Sequence, residues 1–155
     1  MALKAEGRAL IDHPRGRKLG TDAVIDIPCD VWIPAARPDV IHAGNVARLQ
    51  TRIVAEGANI PLSAEAEQVL ASRGVLVLPD FVANAGGVIC AAVEYQGGTE
   101  EAALAFIDEK IRANTKAVLD EVRRKGVSPR TAATSLAVER VHRAMRTRRW
   151  DAPPG

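Results

Sequence analysis

A chain of 155 residues with 47% apolar content has the size and composition of one folded domain with a single core. Its net charge of +2 is small and says little about partners. Phe81, Phe106, Tyr95, Trp32 and Trp150 are the only aromatic residues. Val, Ile, Leu and Ala must therefore fill the core, a mix that suits helices on both faces of a parallel sheet.

Residues 1–23 are basic, glycine-containing and weakly periodic, and read as a connector. Three short apolar runs follow, at 31–35, 53–56 and 75–78, each ending in a Pro, Gly or Asp turn signal. Their centres lie roughly 22 residues apart, enough for a strand, a short helix and two turns. The pattern is βαβαβ, which predicts parallel strands with right-handed crossovers. Between the first two strands, residues 44–50 allow at most two helical turns, with Asp39 as a cap upstream. Between the second and third, Ser63 is the expected N-cap, and Glu65 and Glu67 stand in the first turn, where the helix dipole favours them. Ala66, Val69 and Leu70 give that helix its buried face, and Gly74 its stop.

Beyond the third strand the pattern turns helical. Leu104, Ile107, Ile111, Val118 and Val122 share one face of a long helix. Asp108 with Arg112, and Glu121 with Lys125, are favourable pairs on its wet side. Arg123, Arg124 and Lys125 close it before Gly126, and Ser128 followed by Pro129 starts another helix. Ala133, Leu136, Ala137, Val141 and Ala144 form the second face, and residues 147–155 read as a flexible tail. Arg140, Arg143, Arg146, Arg148 and Arg149 cluster near the end. They read as cations at a helix C-terminus followed by a solvated tail. No aromatic residues interleave with them as stacking platforms, so no nucleic-acid partner is expected. No apolar run approaches the ~20 residues that span a bilayer. No signal peptide is visible after Met1, and the expected location is the cytoplasm. Cys29 and Cys90 form no CxxC pair and read as reduced, buried thiols.

The informative residues stand at the three strand ends: Pro34-Ala35-Ala36, then Glu56-Gly57-Ala58-Asn59, then Asp80 to Gly87 with Asn84 inside it. Asn after a strand is often only a turn residue, and Gly-Gly often only a tight turn. Three such segments at successive strand ends point instead to a ligand crevice beyond the carboxyl ends of a parallel sheet. Small residues there admit a flat ligand, and Asn59 and Asn84 each offer an acceptor and two donors. Other chemistries find little support. His13, His42 and His142 lack metal-ligand spacing, so no metal is expected. Ser63, Ser72, Ser128 and Ser135 lack a nucleophile elbow. Lys4, Lys18, Lys110, Lys116 and Lys125 all lie in polar contexts, and nothing brings Glu56 and Glu94 together.

The strings CDVWIPAA, IVAEGAN and VLVLPDFVANAGGVI, with TAATSLAVERVHRAM near the end, resemble the C-terminal segment of the glutamate/leucine/phenylalanine/valine dehydrogenases. The likeness runs from about Leu3 to Met145. It implies an α/β, partial Rossmann-like domain: a short parallel sheet of about three strands flanked by helices, with a helical C-terminal part. The domain itself would span 24–146. The resemblance places Ala35 and Ala36 against an NAD or NADP cofactor, and Gly57, Ala58 and Asn59 beside its nicotinamide ribose. It places Asn84 on the ribose or carboxamide. Ala91 falls near the substrate, where glutamate-acting members usually carry a serine. The pyrophosphate-binding GxGxxG occurs nowhere in the chain. Nor does the N-terminal domain that holds the family's catalytic lysine and aspartate. The expectation is a truncated portion of a glutamate dehydrogenase-like enzyme, without turnover or catalytic residues of its own. The alternative is a non-catalytic nucleotide-binding or oligomerisation module. In the family's strand order the strand around Val31 and Ile33 loses a neighbour, which predicts self-association or pairing with a complementary dehydrogenase chain through that edge.

Overall fold

The computed structural model of the chain describes residues 2–147. The predicted tail beyond Thr147, with Arg148 and Arg149, lies outside the described residues. The described residues open with a short helix α1 (Ala2–Ala5), one turn of 3-10 helix at Leu10–Asp12 and a six-residue stretch of it at Thr21–Asp26. The last of these delivers Ile25 to the core.

Three parallel strands follow in the order β1 (Val31–Trp32), β2 (Ile53–Ala55) and β3 (Leu76–Leu78). Val54 stands between Trp32 and Val77 in the register. Each strand falls inside its predicted apolar run, but β1 ends at Trp32 rather than at residue 35. Pro34 has no N–H for a ladder, and its carbonyl instead accepts the Ala58 N–H at 2.7 Å. Between β1 and β2 the predicted two-turn helix is one 3-10 turn, Val46–Arg48. Asp39 caps nothing there. Its φ of +52° turns the chain, and its N–H bonds to the Ile60 carbonyl at 3.0 Å.

Helix α2 (Ala64–Ser72) starts as the sequence predicts, with the Ser63 side chain accepting the Ala66 N–H at 3.2 Å. Gly74, at φ +74°, takes the left-handed stop that a β-carbon would penalise. Ala66 and Leu70 are buried, whereas Val69 is exposed at the edge of the predicted face. The main core comprises Ile25, Ile41, Val46, Leu49, Val54, Leu62, Ala66, Leu70, Val75 and Val77, packed between the sheet, α2 and the 3-10 turn.

Beyond β3 and Pro79 the regular elements are all helices: α3 (Asp80–Ala83), α4 (Gly86–Tyr95), α5 (Glu100–Lys125) and α6 (Pro129–Thr147). Thr99 caps α5 by accepting the Ala102 N–H, and the helix ends at Gly126. The Asp108–Arg112 pair forms at 2.7 Å on the wet side, and the Glu121–Lys125 pair forms as well, with Glu121 largely covered rather than on the wet side. Ser128 Oγ accepts the Thr131 N–H at 3.2 Å and starts α6. A second, smaller core joins these helices through Val82, Val118, Ala132 and Ala133.

Several predicted faces are only partly covered. Leu104 is 61% exposed, and Ala137, Val141 and Ala144 on α6 are exposed too. Spacing fixes which residues share a helical face, but a neighbour must cover that face to bury it. Helix α4 buries none of its residues, and Tyr95 is 93% exposed. Both cysteines are half-buried rather than buried: Cys29 lies 3.9 Å from Thr51 Oγ1, and Cys90 donates to Glu94 at 3.7 Å. Among the described residues, no helix is long and apolar enough to cross a membrane.

Candidate functional site

The fold brings the three strand ends together on one side of the sheet. Besides the bond from Ala58 to Pro34, the β1 and β2 ends approach at Gly57. A β-carbon there would lie 3.0 Å from the β-carbon of Ala35 and 3.3 Å from Ile33 Cγ2, so glycine is what lets the two backbones close. The β2 and β3 ends meet through their amides, where Asn84 Nδ2 donates to Asn59 Oδ1 at 2.8 Å. That bond uses one donor of Asn84 and part of the acceptor capacity of Asn59. The remaining amide protons and the Asn84 carbonyl are still available to a ligand that offers both donors and acceptors, such as a carboxamide or a ribose.

Beneath the amide pair lies a cluster of charge. Glu56, at the end of β2, is 0% exposed. Its Oε2 accepts the Asp80 N–H at 2.7 Å and the Arg130 guanidinium at 2.8 Å, while its Oε1 is buried without a hydrogen-bond partner. Arg130, in the first turn of α6, also meets Glu67 of α2 at 2.6 Å and Asp80 Oδ1 at 3.3 Å. Asp80 Oδ2 accepts the Ile60 N–H at 2.9 Å. The Phe81 ring lies 5.7 Å from the guanidinium carbon.

Three carboxylates thus share one guanidinium. Burial raises the Glu56 pKa to about 7, and the Asp80 N–H and Arg130 offset the rise only in part. Asp80 also experiences burial that raises its pKa, but the Ile60 and Phe81 N–H groups with Arg130 outweigh it and hold it below the usual carboxylate range. The hydrogen bonds to Glu67 lead the effects that push Arg130 above its ordinary value.

Ala35, Gly57, Ala58, Asn59 and Asn84 therefore converge, as adjacent strand ends would require. Ala36 is exposed just past Ala35, and Ala91 is exposed on the second turn of α4. Glu56 and Glu94 stay apart in their pairings: Glu56 belongs to the Arg130 cluster and Glu94 to Cys90. Lys4, Lys18, Lys116 and Lys125 are exposed. Lys110 is half-buried, pairs with Glu109 at 2.9 Å and stacks over Phe106. The sequence reading missed the Glu56–Asp80–Arg130 cluster. The visible signal was a charged residue at the end of two successive apolar strands, where a sheet covered on both faces leaves no water to solvate it.

The family model described as "Glutamate/Leucine/Phenylalanine/Valine dehydrogenase" matches residues 1–149. A glutamate dehydrogenase of Aeropyrum pernix is 39% identical over an alignment covering 97% of this chain and 38% of that protein. Among solved structures, a hetero-hexameric glutamate dehydrogenase of Thermus thermophilus superposes with TM-score 0.78 at 27% identity, covering 97% of this chain and 36% of that one. An L-tryptophan dehydrogenase of Nostoc punctiforme superposes with TM-score 0.73 at 30% identity, covering 81% of this chain and 38% of that one. The chain spans little more than a third of the length of each of these relatives.

Proposed function

The chain belongs to the glutamate/leucine/phenylalanine/valine dehydrogenase family, and from that premise we propose that its strand ends form the nicotinamide-ribose side of an NAD(P) cleft. The observation that carries this reading is the amide pair: Asn59 and Asn84, 25 positions apart, are joined at 2.8 Å beside the close approach of Gly57 to Ala35. A hydrogen-bonded pair of side-chain amides beside small residues suits a ribose or carboxamide, which needs both donors and acceptors.

In this reading Ala35 and Ala36 give the ring a flat apolar contact, Gly57 and Ala58 bring backbone close to the ribose, and Asn59 and Asn84 hold its polar edge. Ala91 lies toward the substrate and offers no hydroxyl to a side-chain carboxylate. The whole reaction would convert an L-amino acid, water and NAD(P)+ into a 2-oxo acid, ammonia, NAD(P)H and a proton. Bound NAD(P)+ supplies the hydride acceptor. The residues of this chain bind and orient; none of its lysines has the desolvated setting that proton transfer at the substrate nitrogen requires, and by itself the chain should not turn over.

Titration of the chain with NADH, followed by nicotinamide fluorescence, tests the reading. Saturable binding that Asn84→Ala abolishes is expected. Absence of saturation up to about 10 mM, or unchanged affinity in the variant, would overturn it.

The edge of the sheet favours a second, compatible role. Among the described residues β1 pairs with β2 alone, and Ile33 just beyond it is 61% exposed. A strand edge with apolar side chains is a template for pairing. Self-association, or pairing with a complementary dehydrogenase chain, should occur around Val31 and Ile33. In sedimentation at micromolar concentration Ile33→Lys should lower the average mass; a monomeric parent chain would remove this role.

A further inference from the structure

The two amides of the proposed cleft do not hold themselves in place. Asn59 is followed by Ile60, whose φ is +48°. A β-branched residue avoids that left-handed region, so something must hold Ile60 there. Its carbonyl is held by the Asp39 N–H at 3.0 Å, and on its amide side the holder is Asp80, whose Oδ2 accepts the Ile60 N–H at 2.9 Å. The carbonyl oxygen of the same Asp80 accepts the Asn84 N–H at 2.8 Å. One residue therefore fixes the backbone beside both amides.

Asp80 is fixed in turn from behind. Its N–H is bound by Glu56 Oε2 at 2.7 Å, and its Oδ1 faces Arg130 Nη1 at 3.3 Å. Arg130 Nη2 reaches the same Glu56 oxygen at 2.8 Å. Glu56, Asp80 and Arg130 thus close a ring of three, with Glu67 holding the guanidinium from its outer side at 2.6 Å.

We infer that Arg130 is a positioning residue for the cofactor cleft: through Glu56 and Asp80 it sets the spacing of the Asn59 and Asn84 amides, which it does not touch. What that spacing serves rests on the cleft proposed above; the spacing itself rests on the bonds just described. Without the guanidinium, Glu56 and the Asp80 side chain lose the cation that bridges them, Asp80 shifts, and Ile60 relaxes toward negative φ. Lysine cannot substitute. One ammonium on a flexible stem does not span Glu56, Asp80 and Glu67 as a planar fork does.

The test follows the Asn84 side-chain NH2 and Ile60 amide resonances of the full chain, isotope-labelled, in Arg130→Lys and Glu67→Gln, with NADH affinity measured in parallel. In a folded Arg130→Lys the Asn84 resonances should move more than halfway to free-amide positions, and the NADH Kd should rise by about tenfold or more. Glu67→Gln, which weakens only the outer hold, should move both in the same direction by less. Glu121→Gln, which breaks a comparable pair on α5, should move neither. Unchanged Asn84 resonances in a folded Arg130→Lys would overturn the inference.

Should Arg130→Lys fail to fold, the unsubstituted chain decides by titration. Glu56 is faced by Glu67 from α2, Asp80 from α3 and Arg130 from α6. The Asn84 and Ile60 resonances should titrate together with the Glu56 carboxyl carbon; titration of Glu56 without a response at Asn84 overturns the inference. An amide response with no NADH binding in any form would leave the positioning role standing and remove the cofactor reading instead.

Discussion

The sheet half and the helical half of this chain are stabilised differently. Residues 25–77 enclose a core of ten apolar side chains, with Ile41, Leu49, Val54 and Leu70 fully shielded from water. Residues 80–147 share a smaller cluster of four, Val82, Val118, Ala132 and Ala133, with Ala103 buried apart from it, and α4 buries none of its own residues. The first half carries its own driving force for folding. The second is long in helix, rich in surface ion pairs worth little each, and short of buried area. At the candidate site they are joined by ion pairs from Arg130 of the helical half to Glu56 and Glu67 of the sheet half, and by hydrogen bonds between Asn84 and Asn59, Ile60 and Asp80, and Asp80 and Glu56. A weakly packed helical layer is thereby anchored at the point where the candidate site lies.

The largest expected effect breaks that join. Arg130→Met should destabilise the chain by ~3–5 kcal/mol, because buried carboxylates are left without their cation. Chemical denaturation would measure it, and a loss under ~1 kcal/mol would show that the two halves hold together without the cluster.

Core substitutions sharpen the comparison next. Leu70→Ala, in the sheet half, should cost ~2–5 kcal/mol. Leu104→Ala, at the exposed start of α5, should stay within ~0.5 kcal/mol. Equal losses in denaturant midpoints would mean that Leu104 is covered in solution and the contrast between the halves is false.

Protonation gives a third handle. The pKa of Glu56 rises from its ordinary 4.5 to about 7 in the fold, so the folded state holds this proton more tightly than the unfolded chain. The stability it contributes is complete below 4.5 and is lost as pH rises through about 7, a decline on the order of 3 kcal/mol. Asp80 acts in the opposite sense: its lowered pKa contributes stability that is lost as pH falls through its folded value. Stability curves of the parent chain and Glu56→Gln should therefore diverge between about pH 4.5 and 7, with the variant flatter. Parallel curves would remove Glu56 as the titrating group. The smallest effect is a cap. Ser63→Ala should cost ~1 kcal/mol, and no change in midpoint would mean that the N-terminus of α2 is held by other contacts.

How much of this was legible in sequence follows the same division. The strands, Ser63, Gly74, the Ser128-Pro129 start and the pairs on α5 could be read because each depends on neighbours within a turn or on a short apolar run closed by a turn signal. The converging strand ends were legible too, since parallel strands must bring their carboxyl ends to one side. The Arg130 cluster was not. Its members lie 50 to 74 positions from Arg130, and no local pattern distinguishes an arginine that docks on buried carboxylates from one that faces water. Leu104 and Val141 failed for a related reason. Periodicity shows that they share a face with buried residues, while their exposure depends on what packs there.

The most direct test of the central claim is a side-chain amide spectrum of the labelled chain with increasing NADH. The Asn59 and Asn84 NH2 resonances should shift together and saturate, while that of Asn45, held by the Val40 carbonyl at 2.9 Å, stays in place. Shifts confined to other amides, or none at all up to about 10 mM NADH, would contradict the assignment of the cofactor cleft to these strand ends.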